Sequence, residues 1–391
     1  MITISQISVG KGYLTRHLSA NDYYSEGETV TGQWQGKGAE MLGLSGDVEE
    51  AAFESLRNNR HPGSGEKLTA RKSKVAFHDI VFSAPKSVSV AAIVGGDERL
   101  VEAFRQSVET TFKEMEKLAA VRVRTGNQVH TEATRKTGNV IAGVFHHDSS
   151  RALDPQLHAH AVLANASFDA TRNGWFALQP VHMIIASKTG LRSLYYHDLA
   201  KRVSALGYEV EWRGRVFRLK GLSEKLDLTF SQRAIQRQRF EQRYRTVFGK
   251  LPTKRRVEQF IKEGHAAAVT RFHQEHFVAF GWYPAKGDVN AFVKDWRDLK
   301  LTRISTAQVR KRQRERISAP ERYSLNATVS AARRNVAEST TEEKPHFHQE
   351  IQQQSVSGES LTKRIRRASR SVTPALAGQV SRLTSTLLDG L

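Results

Sequence analysis

The sequence predicts an α+β fold built on an antiparallel sheet. Three observations carry that prediction. Four segments with β-like character fall in the first half of the chain, at residues 1–9, 75–83, 138–147 and 157–168, and a hairpin follows at 208–221. A long, strongly basic helical stretch runs from Ser231 to Arg316. No regular strand–helix–strand alternation links these parts, so a parallel sheet of βαβ units is not expected.

Each element has a local reason. MITISQISV alternates apolar and polar residues and reads as a strand. VAFHDIVFS (75–83) reads as a second strand, closed by Pro85. KSVSVAAIV (86–94) reads as a short helix that stops at Gly95 and Gly96. Asp97 is placed to cap the next helix. Its apolar residues Leu100, Phe104, Val108, Phe112, Met115 and Leu118 follow at steps of three or four, one stripe of a helix. GNVIAGVFHH (138–147) and LHAHAVLANASF (157–168) read as two further strands. Residues 180–206 carry a helical pattern ending at Gly207, and YEVEWRGRVFRLKG (208–221) reads as a hairpin turning at Arg213–Gly214. Near residue 318 the composition shifts to Ser, Thr, Gln and Arg. Residues 320–375 read as mostly disordered, because they bury too little apolar surface to offset ordering entropy. ALAGQVSRLTSTLLDGL at the end has the pattern of a short amphipathic helix.

Composition narrows the function. A chain of 391 residues with 39% hydrophobic content holds a packed core and about two domains. The formal charge of +20 calls for a polyanionic partner, most often nucleic acid; a ribosome-associated or merely basic protein is the plainer alternative. There is no cysteine, which excludes disulfides, thiol nucleophiles and Cys-ligated metals. Any metal is therefore left to His, carboxylates or water. The N-terminus lacks the pattern of a signal peptide, and no stretch approaches the ~18 apolar residues of a membrane span. Cytoplasm is the expected location. The motifs of P-loop motors, dinucleotide folds and serine nucleophile elbows are absent.

The densest group of chemically active residues is FHHDSSRALDPQLHAHAVLAN, 145–165. His158 and His160 are two apart, so on a strand both rings point the same way. His147 ends the preceding β-like segment, and an antiparallel pairing brings it beside them. Three converging neutral imidazoles make a metal site suited to catalysis. An H-x-H on a half-exposed strand also arises by chance; the third histidine is what strengthens the reading. His146, the alternative third ligand, neighbours His147 and is expected to face away. Asp79 is a carboxylate in an apolar strand, costly unless paired. Holding the ring N–H of a metal-bound histidine explains it, as does an edge position facing solvent. Tyr13, Tyr23 and Tyr24 are candidate nucleophiles on phosphorus, since a phenolate attacks well once a base or metal helps remove its proton. Ordinary packing is the simpler local reading of that pair. QRAIQRQRFEQRYR (232–245) and VRKRQRER (309–316) offer arginines for phosphate, with Phe240 and Tyr244 interleaved for stacking on unpaired bases. A solvated helix face explains either run alone.

Taken together, DYYSEG, GQWQGKGAEMLGLSG, DIVFSAPKSVS and the H-D-x-S-R…D-P-Q-L-H-x-H-A-V-x-N segment resemble the TrwC/TraI-type (MobF) conjugative relaxases, single-strand endonucleases of the HUH class. The resemblance covers residues 1–310, with its strongest motifs before 180. It implies a five-stranded antiparallel sheet with flanking helices and a helical region that closes over DNA. It implies a tyrosine attacking the scissile phosphate at the nick site of an origin of transfer, leaving a 5′-phosphotyrosyl DNA and a free 3′-hydroxyl. His147, His158 and His160 match the family's metal triad, Asp79 the catalytic aspartate that hydrogen-bonds a ligand histidine or helps activate the tyrosine, and Tyr23 and Tyr24 its second tyrosine pair. The first pair is reduced here to Tyr13, followed by Leu14 and a longer spacer; Tyr13 is taken as the initiating nucleophile and Tyr23 as the fallback. Large members carry a C-terminal helicase, whereas this chain has no P-loop and resembles a form without one.

The expected domains are a relaxase core at 1–230, a basic helical region closing over DNA at 231–318, and a mostly disordered basic tail at 319–391. The expected cofactor is a divalent ion, Mg²⁺ or Mn²⁺ from abundance and family habit, with Zn²⁺, Ni²⁺ and Co²⁺ suited by ligand softness. The expected partners are single-stranded and hairpin DNA at the origin of transfer, an accessory DNA-binding protein, and the coupling protein of a type IV secretion system. A rolling-circle replication initiator is disfavoured by the tyrosines preceding the histidine segment. A decayed, non-catalytic hairpin-binding protein is disfavoured by the intact histidines, Asp79 and tyrosines. A hydrolase using metal-bound water lacks an obvious general-base Glu.

Overall fold

The structure is a computed structural model. It describes residues 2–8, 32–70, 73–123, 133–150, 153–262, 265–292 and 305–341. In chain order the elements are β1 (Ile2–Ser8), β2 (Gln33–Gln35), α1 (Lys37–Met41), α2 (Glu50–Arg57), β3 (Val75–Ser83), α3 (Lys86–Ile93), α4 (Glu98–Glu116), β4 (Ala120–Val123), β5 (Ala133–Lys136), β6 (Ala142–Ser149) and β7 (Pro155–Ala164). There follow β8 (Ser167–Asp169), β9 (Gly174–Phe176), α5 (Val181–Lys188), α6 (Gly190–Ala205), β10 (Val210–Arg213), β11 (Val216–Leu219), α7 (Glu224–Thr229), α8 (Gln232–Phe248), α9 (Lys254–Lys262), α10 (His265–Phe280), α11 (Lys286–Phe292), α12 (Thr306–Glu315) and α13 (Ala319–Thr341).

The central sheet has five strands in the order β1-β3-β7-β6-β2, and every neighbouring pair is antiparallel. This is the α+β architecture expected from the sequence. Side chains alternate along each strand, so the register assigns the two faces. Ile2, Phe82 and Ala159 share one row, and Ile4, Ile80, Ala161 and Val144 the next. That face packs on α3, α4, α5 and α6 and holds the main core. The opposite face carries Ile7, Phe77, Ala164, Trp34 and Phe145 in a smaller core. There Phe53 of α2 stacks on Phe77 at 4.6 Å between ring centroids.

Helix α4 begins where the sequence places it. The Asp97 side chain accepts from Arg99 N at 3.3 Å and from the Tyr208 hydroxyl at 2.7 Å. Leu100, Phe104, Val108, Phe112 and Met115 are all buried. The pattern over 180–206 becomes two helices instead of one, broken at Thr189 (φ −130°, ψ −100°). The hairpin turns one residue later than expected, at Gly214–Arg215, with Gly214 at φ 63°.

Two expectations are corrected. Phe240 and Tyr244 do not face DNA: they are only 2% and 6% exposed. With Phe272 and Phe292 they form the separate small core of α8–α11. The stripe that looked like a stacking ladder is what lets these basic helices fold. Among the described residues, the exposed aromatics there are Phe277, Phe280, Trp282 and Tyr283. The domain boundary at 319 also fails, because 319–341 is helix rather than disordered tail. Leu325, Val329 and Ala332 of α13 enter the main core. Asn335 donates to Gly207 O at 2.9 Å and Ser324 to Gly221 O at 2.6 Å. A Cβ on Gly207, which sits at φ +88°, would meet Ala332 O at 2.1 Å, so the closeness of this contact depends on glycine. The compact unit accordingly runs from Met1 to Val336, and the second, Ala337–Leu391, is described only through the end of α13. The boundary expected at 230/231 marks a change of core within the first unit. The tail reading for residues beyond 341 lies outside the described residues.

Candidate active site and metal centre

The register brings the histidines together. His147 opposes His158 across β6 and β7, and Phe145 opposes His160. Opposed residues share a face, so His147, His158 and His160 all point to the smaller-core side of the sheet. Ring centroids are 5.1 Å apart for His147–His158, 5.5 Å for His147–His160 and 5.3 Å for His158–His160. His146 points the other way, edge-on to Phe104 of α4 at 6.0 Å.

Asp79 lies on β3 opposite Val162, two residues along β7 from His160 and on the same face. His160 Nδ1 donates to Asp79 Oδ1 at 2.9 Å, which leaves Nε2 as the ring's acceptor. This pairing accounts for a buried carboxylate in a strand otherwise made of apolar residues. His158 Nδ1 donates to Gln156 O at 3.0 Å, which likewise commits Nε2 to the acceptor role. Burial above all, reinforced by His158 and His160, pushes the His147 pKa down to about 2. Burial and the neighbouring His160 push His158 down to about 4. Both rings are therefore neutral at pH 7, the form that ligates metal.

The ring spacing suits a divalent ion. Imidazoles bound tetrahedrally through nitrogens at roughly 2.1 Å place their centroids about 5 Å apart. Among the described residues, no three His, Asp or Glu side chains already gather as a metal-holding group. The His147 and His158 rings lie only 29° from parallel, so sharing an ion requires them to rotate. In spacing and donor type the trio fits such an ion.

The site also involves residues that sequence reasoning did not assign. Lys86 of α3 donates to Pro155 O at 2.9 Å at the start of β7, and burial, as the largest cause, lowers its pKa. Its signal was present in the segment DIVFSAPKSVS. Arg310, Gln313 and Arg316, read as part of an arginine ladder, contact the connection between β6 and β7. Their i, i+3, i+6 spacing marks one helix face, but nothing local says what that face meets. Tyr13, Tyr23 and Tyr24 lie outside the described residues. No helix among the described residues is long and apolar enough to cross a membrane.

Comparison with known proteins gives a consistent picture. A family model described as TrwC relaxase matches residues 7–320. The multifunctional conjugation protein TraI of Escherichia coli is 38% identical over 216 residues, which make up 50% of this chain and 12% of that protein. The match thus spans only a small part of the curated relative. Among solved structures, the conjugative relaxase TrwC in complex with oriT DNA is similar in its metal-bound structure, with a TM-score of 0.55 at 25% identity. That match covers 84% of this chain and 98% of the other. The metal-free structure of the same complex gives a TM-score of 0.57 at 26% identity, covering 84% and 98%.

Proposed function

We propose that this chain, which belongs to the TrwC relaxase family, nicks one strand of DNA at an origin of transfer and rejoins it during conjugative transfer. The observation that carries the reading is the trio His147, His158 and His160 on one sheet face, with Asp79 fixing the third ring. The substrate and the metal are supported by what the similar proteins are said to bind: oriT DNA and, in the metal-bound and copper-bound structures, a metal.

His147, His158 and His160 are the residues that would hold a divalent ion. When bound, it supplies positive charge beside the scissile phosphate, where negative charge builds up in the transition state. Asp79 holds the His160 ring in one tautomer and one orientation. Tyr13 is the proposed nucleophile. Its phenolic oxygen forms a new bond to phosphorus, the bond from phosphorus to the 3′ oxygen breaks, and the phenolic proton is lost while the 3′ oxygen gains one. One phosphodiester replaces another, so the step is reversible and the strand can be resealed. Tyr23 or Tyr24 serves a second transfer. The reaction takes place in the cytoplasm, with a coupling protein of a type IV secretion system receiving the product.

The test is incubation with labelled single-stranded origin DNA and Mg²⁺ or Mn²⁺, followed by a search for a protein–DNA adduct stable to SDS. Peptide mapping of that adduct should recover DNA on Tyr13; recovery only on the peptide holding Tyr23 and Tyr24 would reassign the nucleophile. His160→Ala should abolish metal-dependent nicking while leaving hairpin binding largely intact. No adduct with any origin sequence, or nicking by His160→Ala at ordinary metal levels, would overturn the reading.

A further inference from the structure

The connection between β6 and β7 links His147 along the chain to His158 and His160. It leaves His147, passes residues 148–154 and enters β7 three residues before His158. The register slips between His147 and Ser149, so pairing alone does not fix this end of the hairpin. Leu153 within it sits at φ 58°. The other non-glycine residues with positive φ among those described are Asn59 and Asn173, a type that tolerates this region. A leucine held there is strained and persists only where its surroundings over-determine it.

Part of those surroundings is the turn itself, where Ser150 N donates to Asp154 O and Leu153 N to Ser150 O, each at 2.9 Å, and α12 supplies the rest. Gln313 is 1% exposed, and its Nε2 donates to Leu153 O at 2.8 Å. Arg316 Nη2 donates to Asp154 Oδ1 at 2.8 Å. The same guanidinium donates to Thr229 O and lies over the Phe230 ring, 4.8 Å from its centroid. Arg310 pairs with Asp148, the residue next to His147. On the far side, Lys86 holds Pro155 O. These contacts reach Asp148, Leu153, Asp154 and Pro155, and three of them come from residues three apart on one face of α12 and its C-cap, Arg316.

We propose that α12 is a positioning clamp for the histidine centre, with Gln313 as its key residue and Arg310 and Arg316 as its flanks. By fixing the strained turn, it sets the separation of His147 and His158 and so the affinity of the trio for a divalent ion. This rests on the reading that those histidines hold such an ion. None of the three residues touches the reacting atoms; they act through the hairpin.

The experiment is Mn²⁺ binding by the full chain, read by titration calorimetry and by the Mn²⁺ electron paramagnetic resonance spectrum, with circular dichroism to verify folding. Gln313→Ala should bind Mn²⁺ about tenfold more weakly and alter the spectrum, the scale seen when groups that orient metal ligands are removed. Arg314→Ala, on the exposed side of the same helix, should match the unaltered chain. Arg310→Asp and Asp148→Arg should each weaken binding, and the double exchange should restore it to within about twofold. That partly exposed pair decides the matter if Gln313→Ala does not fold. A folded Gln313→Ala with unchanged affinity and spectrum overturns the clamp, as does a double exchange no better than its single variants. Failure of the unaltered chain to take up Mn²⁺, or equal uptake by His160→Ala, overturns instead the metal reading beneath it.

Discussion

His146 and His147 are neighbours in sequence with opposite surroundings, and strand alternation alone separates them. His147 joins the trio, while His146 is packed against Phe104. Burial pushes the His146 pKa down to about 4, so the folded state favours the neutral ring. The unfolded ring takes up its proton near 6.5. Its contribution to stability is therefore full above pH 6.5 and is lost as pH falls toward 4. Replacing His146 with Met should make stability less dependent on pH. Between pH 7 and pH 5, in the presence of chelator, urea unfolding should show a loss smaller by about 2 kcal/mol than for the unaltered chain. At Asp79, substitution by Asn keeps the shape but removes the charge that fixes the His160 tautomer, and Mn²⁺ affinity should fall roughly 10–100-fold by titration. The trio and its aspartate were legible because period-2 alternation turns residue spacing directly into a shared face. The roles of Gln313 and Arg316 were not, because their partners lie more than 150 residues away in the chain. Sequence spacing says nothing about contacts at that range.

Elements show the same division between local and long-range causes. The β3, α3 and α4 segments form as read, because an alternating run, a glycine stop and a capping aspartate are all local signals. Strand β2 went unread because three residues, Gln33–Gln35, cannot display a period. The α8–α11 helices were recognised as helical, but their aromatic residues were assigned to the wrong side. Phe240 belongs to a small core, so Phe240→Ala should lower the unfolding free energy of that region by roughly 3–5 kcal/mol. Trp282→Ala, on an exposed side chain, should stay within about 0.5 kcal/mol of the unaltered chain. Differential hydrogen exchange across residues 235–292 separates the two. Helix α13 was misread because its Ser, Thr, Arg and Asn residues mask a sparse apolar stripe at Leu325, Val329 and Ala332. A chain ending at Ser318 should melt well below the unaltered chain, whereas one ending at Thr341 should keep its melting temperature. Equal melting of both would mean that the α13 contacts with Gly207 and Gly221 contribute little.

At the scale of the whole molecule, a charge of +20 suits a polyanionic partner, and the basic helices α8–α11 are the surface to test for it. Helices α8–α11 form an excursion with its own core, inserted between α7 and α12. Arg316 joins both ends of its stem, touching Phe230 before the excursion and Asp154 at the histidine hairpin. Excising residues 231–316 would remove the contacts of Gln313 and Arg316 along with the basic helices, confounding any loss of DNA binding. A cleaner excision takes out 232–304 and leaves α12 in place. Ser305 and Arg316 are about 16 Å apart along the helix, and a Gly-Ser linker of roughly 12 residues spans about 19 Å on average, enough to reconnect the stem. Each phosphate neutralised on a single strand contributes about 0.7 to the slope of log affinity against log salt. The excised chain should bind single-stranded origin DNA more weakly and with a flatter slope, while its Mn²⁺ affinity stays near that of the unaltered chain. Unchanged affinity and slope would make the excursion a scaffold and move the DNA contact to the sheet and its hairpins. Lost Mn²⁺ binding with α12 intact would instead show that the excursion, through its stem at Arg316, governs the histidine centre.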